Sequence, residues 1–323
     1  MRLRIFLLLC AAMLLCLSFA GCTMLSVQEA AADAPAASEA LAAELHVGVE
    51  ALCEQPRYGK TLSHAQDYIA AELRKAGYEV RFQEFTNEEG TFRNIIAERK
   101  GTESGRYIVG AHYDACEPDD PQAANPGADD NASAVAVLLS LARRLPEHPK
   151  HTLELVFYAC EEPPWFGTEG MGSYAHAQSC DPQEVLGMVC LEMLGFYSDE
   201  EGSQPSLFPG HSLLLPTEGN FVAVVGNLYD SLSLGRAAQR HLRRHIRTMR
   251  LNVPFAGDTA LYFSDHRNYA PCGIPAVMVT DTAFLRNNRY HEESDTPDTL
   301  DYTRMAAVTQ GILDLLLELA CGE

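Results

Sequence analysis

Leu153-Glu154-Leu155-Val156-Phe157-Tyr158-Ala159-Cys160-Glu161-Glu162 is the stretch from which the rest of the chain is read. Its apolar run has the length and content of a buried strand, and two adjacent carboxylates emerge where that strand leaves the core. Like charges that close raise each other's pKa. They also cost folding free energy unless a cation lies between them or one stays protonated. A pair at a strand end therefore asks for a metal, and His112, Asp129, Glu192 and His291 are the side chains that supply further ligands.

Working outward, residues 107 to 111 read as a second apolar strand ending at His112, and residues 185 to 191 as a third ending at Glu192. Further strands are expected at 78 to 82, 94 to 98, 221 to 225 and 276 to 280. A helix is expected over 63 to 76, with Ser63 and Gln66 as a capping box and Gly77 as its stop. Another spans 132 to 145, capped by Asp130 or Asn131, and a last one spans 303 to 319. Strands that are apolar throughout are buried on both faces. The fold class is thus α/β, a three-layer sandwich with a mixed, mostly parallel central sheet flanked by helices. In such sheets ligands bind beyond the carboxyl ends of the strands, where His112, Glu161, Glu162 and Glu192 all fall.

Each piece has a role to fill. Asp114, two residues after His112, is placed to receive the other ring N–H of a metal-binding histidine. Asp129 stands just before a helix, where peptide N–H groups favour an anion, and the capping role of Asp130 or Asn131 leaves it free. Glu161 and Glu162 leave the backbone in different directions, so one can ligate while the other holds a proton. Glu192 sits among apolar residues and is costly to bury unless paired or ligating.

The chain of 323 residues carries 44 acidic and 24 basic residues, a net charge of −20, and 47% hydrophobic residues. That charge excludes nucleic acid and anionic lipid as partners of a basic surface. Arg2 and Arg4, an apolar run and then Ala20-Gly21-Cys22 read as a secretory signal over residues 1–22. The Ala-Gly-Cys ending resembles a bacterial lipoprotein signal, which implies export to the cell envelope with a lipid anchor at Cys22 as the only membrane attachment. Cleavage to a secreted soluble chain is the alternative. Residues 23–41 read as a flexible tether and residues 42–323 as one catalytic domain. The seven cysteines beyond the leader lack CxxC spacing and form neither a zinc ribbon nor a disulfide framework.

The assembled set resembles the co-catalytic zinc aminopeptidase family, whose relatives include glutaminyl cyclases, glutamate carboxypeptidases and the peptidase-like domain of the transferrin receptor. The matching pieces are Gly110-Ala111-His112-Tyr113-Asp114, Pro126-Gly127-Ala128-Asp129-Asp130-Asn131, Glu161-Glu162, Gly172-Ser173, Glu192, Ser264-Asp265-His266, Gly273-Ile274-Pro275 and Tyr290-His291 with Asp295-Thr296. The resemblance implies a zinc-exopeptidase fold, peptide substrates and two Zn²⁺ ions. It implies that Asp129 bridges them, that Glu162 and His291 complete one site and that His112 and Glu192 complete the other. It assigns Glu161 as general base and a cis peptide to Asp129–Asp130. Many aminopeptidases carry Asp where this chain has Glu192, and carboxypeptidase-type relatives carry Glu. A single-zinc glutaminyl cyclase and a carboxypeptidase on the same fold are the alternatives. His266, Tyr262 and Tyr290 are further candidates to face substrate.

Overall fold

The computed structural model describes residues 25–118, 120, 122–205, 216–253 and 262–322. The expected signal and Cys22 lie outside the described residues.

The chain order is β1 (Leu25–Gln28), α1 (Glu39–Cys53), α2 (Leu62–Lys75), β2 (Val80–Asn87), β3 (Gly90–Arg99), β4 (Arg106–His112), α3 (Ala134–Ala142), β5 (Thr152–Tyr158), α4 (Gly172–Ser179), β6 (Val185–Glu192), β7 (Val222–Asn227), α5 (Leu232–Leu242), β8 (Thr248–Val253), β9 (Ala276–Thr280) and α6 (Tyr302–Cys321). One sheet holds all these strands in the order β1-β8-β7-β9-β6-β4-β5-β3-β2. The central strands β9, β6, β4 and β5 are mutually parallel. β3 and β2 continue antiparallel on one side, and β7 joins β9 antiparallel on the other. The expected α/β sandwich is therefore the observed one.

Burial explains why the apolar runs became strands. In β5 every residue after Thr152 is buried, and α3 is buried all round. One core cluster joins α1, α2, α3 and α6 to a face of the sheet through Leu45, Ile69, Leu138, Val109, Leu155 and Leu316. A second lies on the opposite face, around Ile108, Val156, Met188, Tyr158 and Tyr269. Truncating a fully buried leucine such as Leu138 to alanine costs about 2–5 kcal/mol. Gly110 sits mid-strand because a Cβ there would lie 2.3 Å from the Tyr158 ring.

Two local expectations change. Within the stretch read as a tether, Leu25–Gln28 pairs antiparallel with β8, and Ser38 caps α1 by accepting from the Leu41 N–H. The surrounding Ala, Ser and acidic residues hid both, because a four-residue edge strand and an Ala-rich helix start show little apolar period. The capping box at Ser63 is absent: α2 starts at Leu62, so Ser63 lies inside the helix.

Candidate metal centre

The centre grows from the carboxyl edge of the sheet. β4 ends on His112, which is level with Tyr158 at the end of β5, and β6 ends on Glu192. After Tyr158 the chain turns through Cys160, at φ 60, so that Glu161 and Glu162 swing over the sheet end. A left-handed non-glycine residue there re-aims the two carboxylates instead of extending the strand.

Two histidine-centred halves result. His112 Nε2 stands 3.4 Å from Asp130 Oδ1, 3.4 Å from Glu192 Oε2 and 3.9 Å from Glu161 Oε2. His291 Nε2 stands 2.9 Å from Glu162 Oε2 and 3.2 Å from Asp130 Oδ2. The structure thus brings His112, Glu161, Glu162, Glu192 and His291 together. Asp114 stands behind His112, with Oδ1 3.6 Å from Nδ1, and its Oδ2 accepts the Glu162 N–H at 3.1 Å. Ser264 donates to Glu192 Oε2 at 2.6 Å.

The carboxylate between the halves is Asp130, not the expected Asp129. Asp129 is already engaged. Its Oδ1 accepts the Gly195 N–H and its Oδ2 accepts from Asn287, each at 2.8 Å, and its carboxyl group hydrogen-bonds Asp281. Asp130, assigned on sequence to a helix cap, makes no such cap. Its two oxygens reach the two histidines instead. The cis peptide falls correspondingly one residue later than expected, at Asp130–Asn131.

The loop that carries Asp130 is held from below by Arg57, which the sequence did not single out, and by Asp295 and Gly127, which it named without a role in this support. Arg57 is buried and donates to the carbonyls of Tyr113, Pro126, Gly127 and Asp130 at 2.7–3.3 Å. Asp295 accepts the N–H groups of both Asp129 and Asp130 at 3.0–3.1 Å. Gly127, at φ 57, is required because a Cβ would meet the Asp130 carbonyl at 2.2 Å. An isolated arginine in a polar connection gives no periodic signal, so sequence reading had no means of finding Arg57.

Charge at the centre is unbalanced. Burial pushes the Glu161 carboxyl well above the carboxylate range, with Glu192 and Glu162 adding to the push and His112 opposing it. Burial and then Asp130 push Glu162 up to about 8. Burial pulls His112 down, but Glu161 and Glu192 outweigh it and leave the ring well above its usual value. Among the described residues, His112 Nδ1 and Nε2, Glu162 Oε1 and His291 Nε2 are buried with no hydrogen-bond partner. Buried nitrogen and oxygen lone pairs without a hydrogen-bond partner suit a cation-binding site. Three carboxylates, Asp130, Glu162 and Glu192, and two imidazoles also match the oxygen and nitrogen preferences of a divalent ion such as zinc. The residues fit the metal.

A cavity of about 250 Å³ opens onto the centre. Asp130, Glu161, Glu162 and Glu192 form its polar end, while Phe221, Val225, Met249 and Met278 form an apolar wall. Tyr290 lines it and stacks on His291, with ring centroids 3.7 Å apart. His266 and Tyr262 are buried and stack on each other, 5.3 Å apart, without lining the cavity. The seven described cysteines are free thiols.

Comparisons with known proteins place the chain in a family. The profile described as Peptidase family M28 matches residues 94–316. The chain is 40% identical over 259 residues to the uncharacterized protein YfbL of Escherichia coli, covering 79% of this chain and 80% of that one. It is 27% identical over 249 residues to a probable leucine aminopeptidase of Arthroderma otae, covering 74% of this chain but 60% of that one. The crystal structure of Fimbriiglobus ruber glutaminyl cyclase superposes with a TM-score of 0.62 at 21% identity, covering 85% of this chain and 94% of the other. That last likeness is one of fold. Because the family match runs over residues 94–316, more than half of the chain, and takes in the sheet edge and its ligand-bearing loops, the chain belongs to peptidase family M28.

Proposed function

We propose that this protein is a zinc-dependent exopeptidase of aminopeptidase type, with two ions held by His112, Asp130, Glu162, Glu192 and His291. The observation that carries the reading is Asp130, whose two carboxylate oxygens face two different histidines, each with a carboxylate of its own. A one-ion cyclase would leave one of these halves without purpose, so the hydrolase is the favoured reading.

Zinc bound there would supply Lewis-acid polarisation of a scissile carbonyl and a nucleophile at neutral pH. The chain's own groups do the rest. Glu161 reaches the cavity but is 3.9 Å from the His112 ring, too far to be tied down by it. It takes the proton of the attacking water and returns it to the leaving amine, with its raised proton affinity suited to holding that proton between the two steps. Asp114 sets the His112 ring from behind. Ser264 fixes the Glu192 carboxylate, taking up the extra methylene that distinguishes it from aspartate. The apolar cavity wall seats an uncharged side chain of the substrate. The proposal includes export and lipidation at Cys22.

A peptide panel blocked at one end or the other, run with and without chelator, tests the function. Cleavage of carboxyl-amidated but not amino-acetylated peptides, lost on chelation and restored by zinc, is expected. Preferential cleavage of amino-acetylated peptides would move the assignment to a carboxypeptidase. Cyclisation of glutaminyl peptides without hydrolysis would move it to a cyclase.

A further inference from the structure

Cys116 follows the His112-Tyr113-Asp114 segment and lies on the wall of the His291 half. One ligand-type atom from each of Cys116, Glu162 and His291 lies within 4.8 Å of the others. The Cys116 S–H makes a long contact, 3.9 Å, to the Glu117 carbonyl, too weak to tie the sulfur down. Its backbone is pinned, because the Cys116 carbonyl accepts from Asn125 at 3.1 Å. The cysteine does not stand alone: Glu162 is 4% exposed, and its Oε1 is buried without a hydrogen-bond partner. A soft sulfur, an imidazole and a carboxylate oxygen thus share one small space.

We propose that the Cys116 thiolate is a further ligand to the ion held by Glu162 and His291, which makes that half of the centre thiophilic. This rests on the metal reading above and deepens it. On binding, the S–H proton passes to solvent and a sulfur lone pair is donated to the ion; no electron changes hands. Among the described residues, the groups gathered around His112 are all carboxylates, Asp130 and Glu192 on one side and Glu161 and Glu162 on the other, with no sulfur. The two ions are therefore inequivalent. The His291 half should prefer zinc and cadmium over manganese, following ligand softness, while the His112 half should discriminate less.

The test uses the full exported chain with cobalt or zinc as probe. Cobalt loading is expected to produce a near-ultraviolet thiolate-to-cobalt charge-transfer band in the wild type that is absent from Cys116→Ser. Zinc loading is expected to slow iodoacetamide alkylation of Cys116, followed by peptide mapping, by about tenfold or more, and Cys116→Ser should weaken zinc at one of the two sites by a similar factor. A protein that binds its metals with normal stoichiometry yet lacks the band, and whose Cys116 is alkylated equally with and without zinc, overturns the sulfur ligand and leaves the metal centre standing. A protein that takes up no metal overturns both.

Discussion

The centre is assembled by two kinds of backbone. His112 and Glu192 ride on the last residues of paired parallel strands, and the His112 side chain is 1% exposed. Asp130 and His291 ride on segments outside any ladder: a kinked turn with non-helical φ and ψ at Asp130, and a loop residue at φ 63 whose side chain is 23% exposed. On the first side the sheet itself sets position. On the second, position is set by side chains reaching up from elsewhere: Arg57 and Asp295 under Asp130, and Tyr290 stacked on His291. A ligand on a strand end is therefore held by many hydrogen bonds shared along the sheet, and a ligand on a loop by a few that single substitutions can remove.

The contrast can be broken most severely at Asp130, which serves both halves. Asp130→Ala is expected to empty both ion sites and to lower turnover on the order of 10³-fold, while Asp129→Asn keeps its zinc; zinc content after dialysis reads the difference. Retained zinc in Asp130→Ala would return the bridge to its neighbour. Glu161→Gln comes next. It removes the proton carrier but no ligand, so turnover should fall about 10²–10⁴-fold at unchanged zinc content. An active Glu161→Gln protein would refute the base.

Arg57→Ala sharpens the comparison through stability. It strands several buried carbonyls under the loop and should cost about 2–4 kcal/mol in denaturant unfolding. Arg57→Lys should recover little, since one ammonium cannot reach carbonyls spread across a planar fork. An Arg57→Ala protein as stable as the wild type would remove the clamp from the account.

The smallest effect concerns a charge away from the loops. Glu154 on β5 is buried beside His176, at 3.1 Å, and Arg106, at 3.1 Å. Burial pushes its carboxyl up, but His176 and then Arg106 outweigh this and leave it below the ordinary 4.5. A depressed folded value contributes stability above the unfolded value and loses it as pH falls through the folded one. Glu154→Gln should therefore cost about 1.5–3 kcal/mol at neutral pH and progressively less below pH 4.5. A cost that is independent of pH would mean that the charge is immaterial.

The same division explains what could be read in advance. Apolar runs leading to His112, Glu161 and Glu192 were legible because burial on both faces leaves its mark in composition; the sheet places His112 and Glu192, while Glu161 lies past the end of β5 and is placed by the turn at Cys160. Asp129 and Asp130 were not separable, because adjacent aspartates before a helix have the same chemistry. Only tertiary partners, Asn287 and Gly195 for one and two histidines for the other, give them different tasks. The strand at Leu25–Gln28 was missed for a related reason: an edge strand takes its place from the neighbour it pairs with.

Crystals of the zinc-loaded protein, measured for anomalous scattering at the zinc edge, test the central claim most directly. The account predicts two peaks flanking the Asp130 carboxylate, one beside His112 and Glu192 and the other beside His291 and Glu162. A single peak, peaks flanking Asp129, or no ordered zinc at this sheet edge would contradict it.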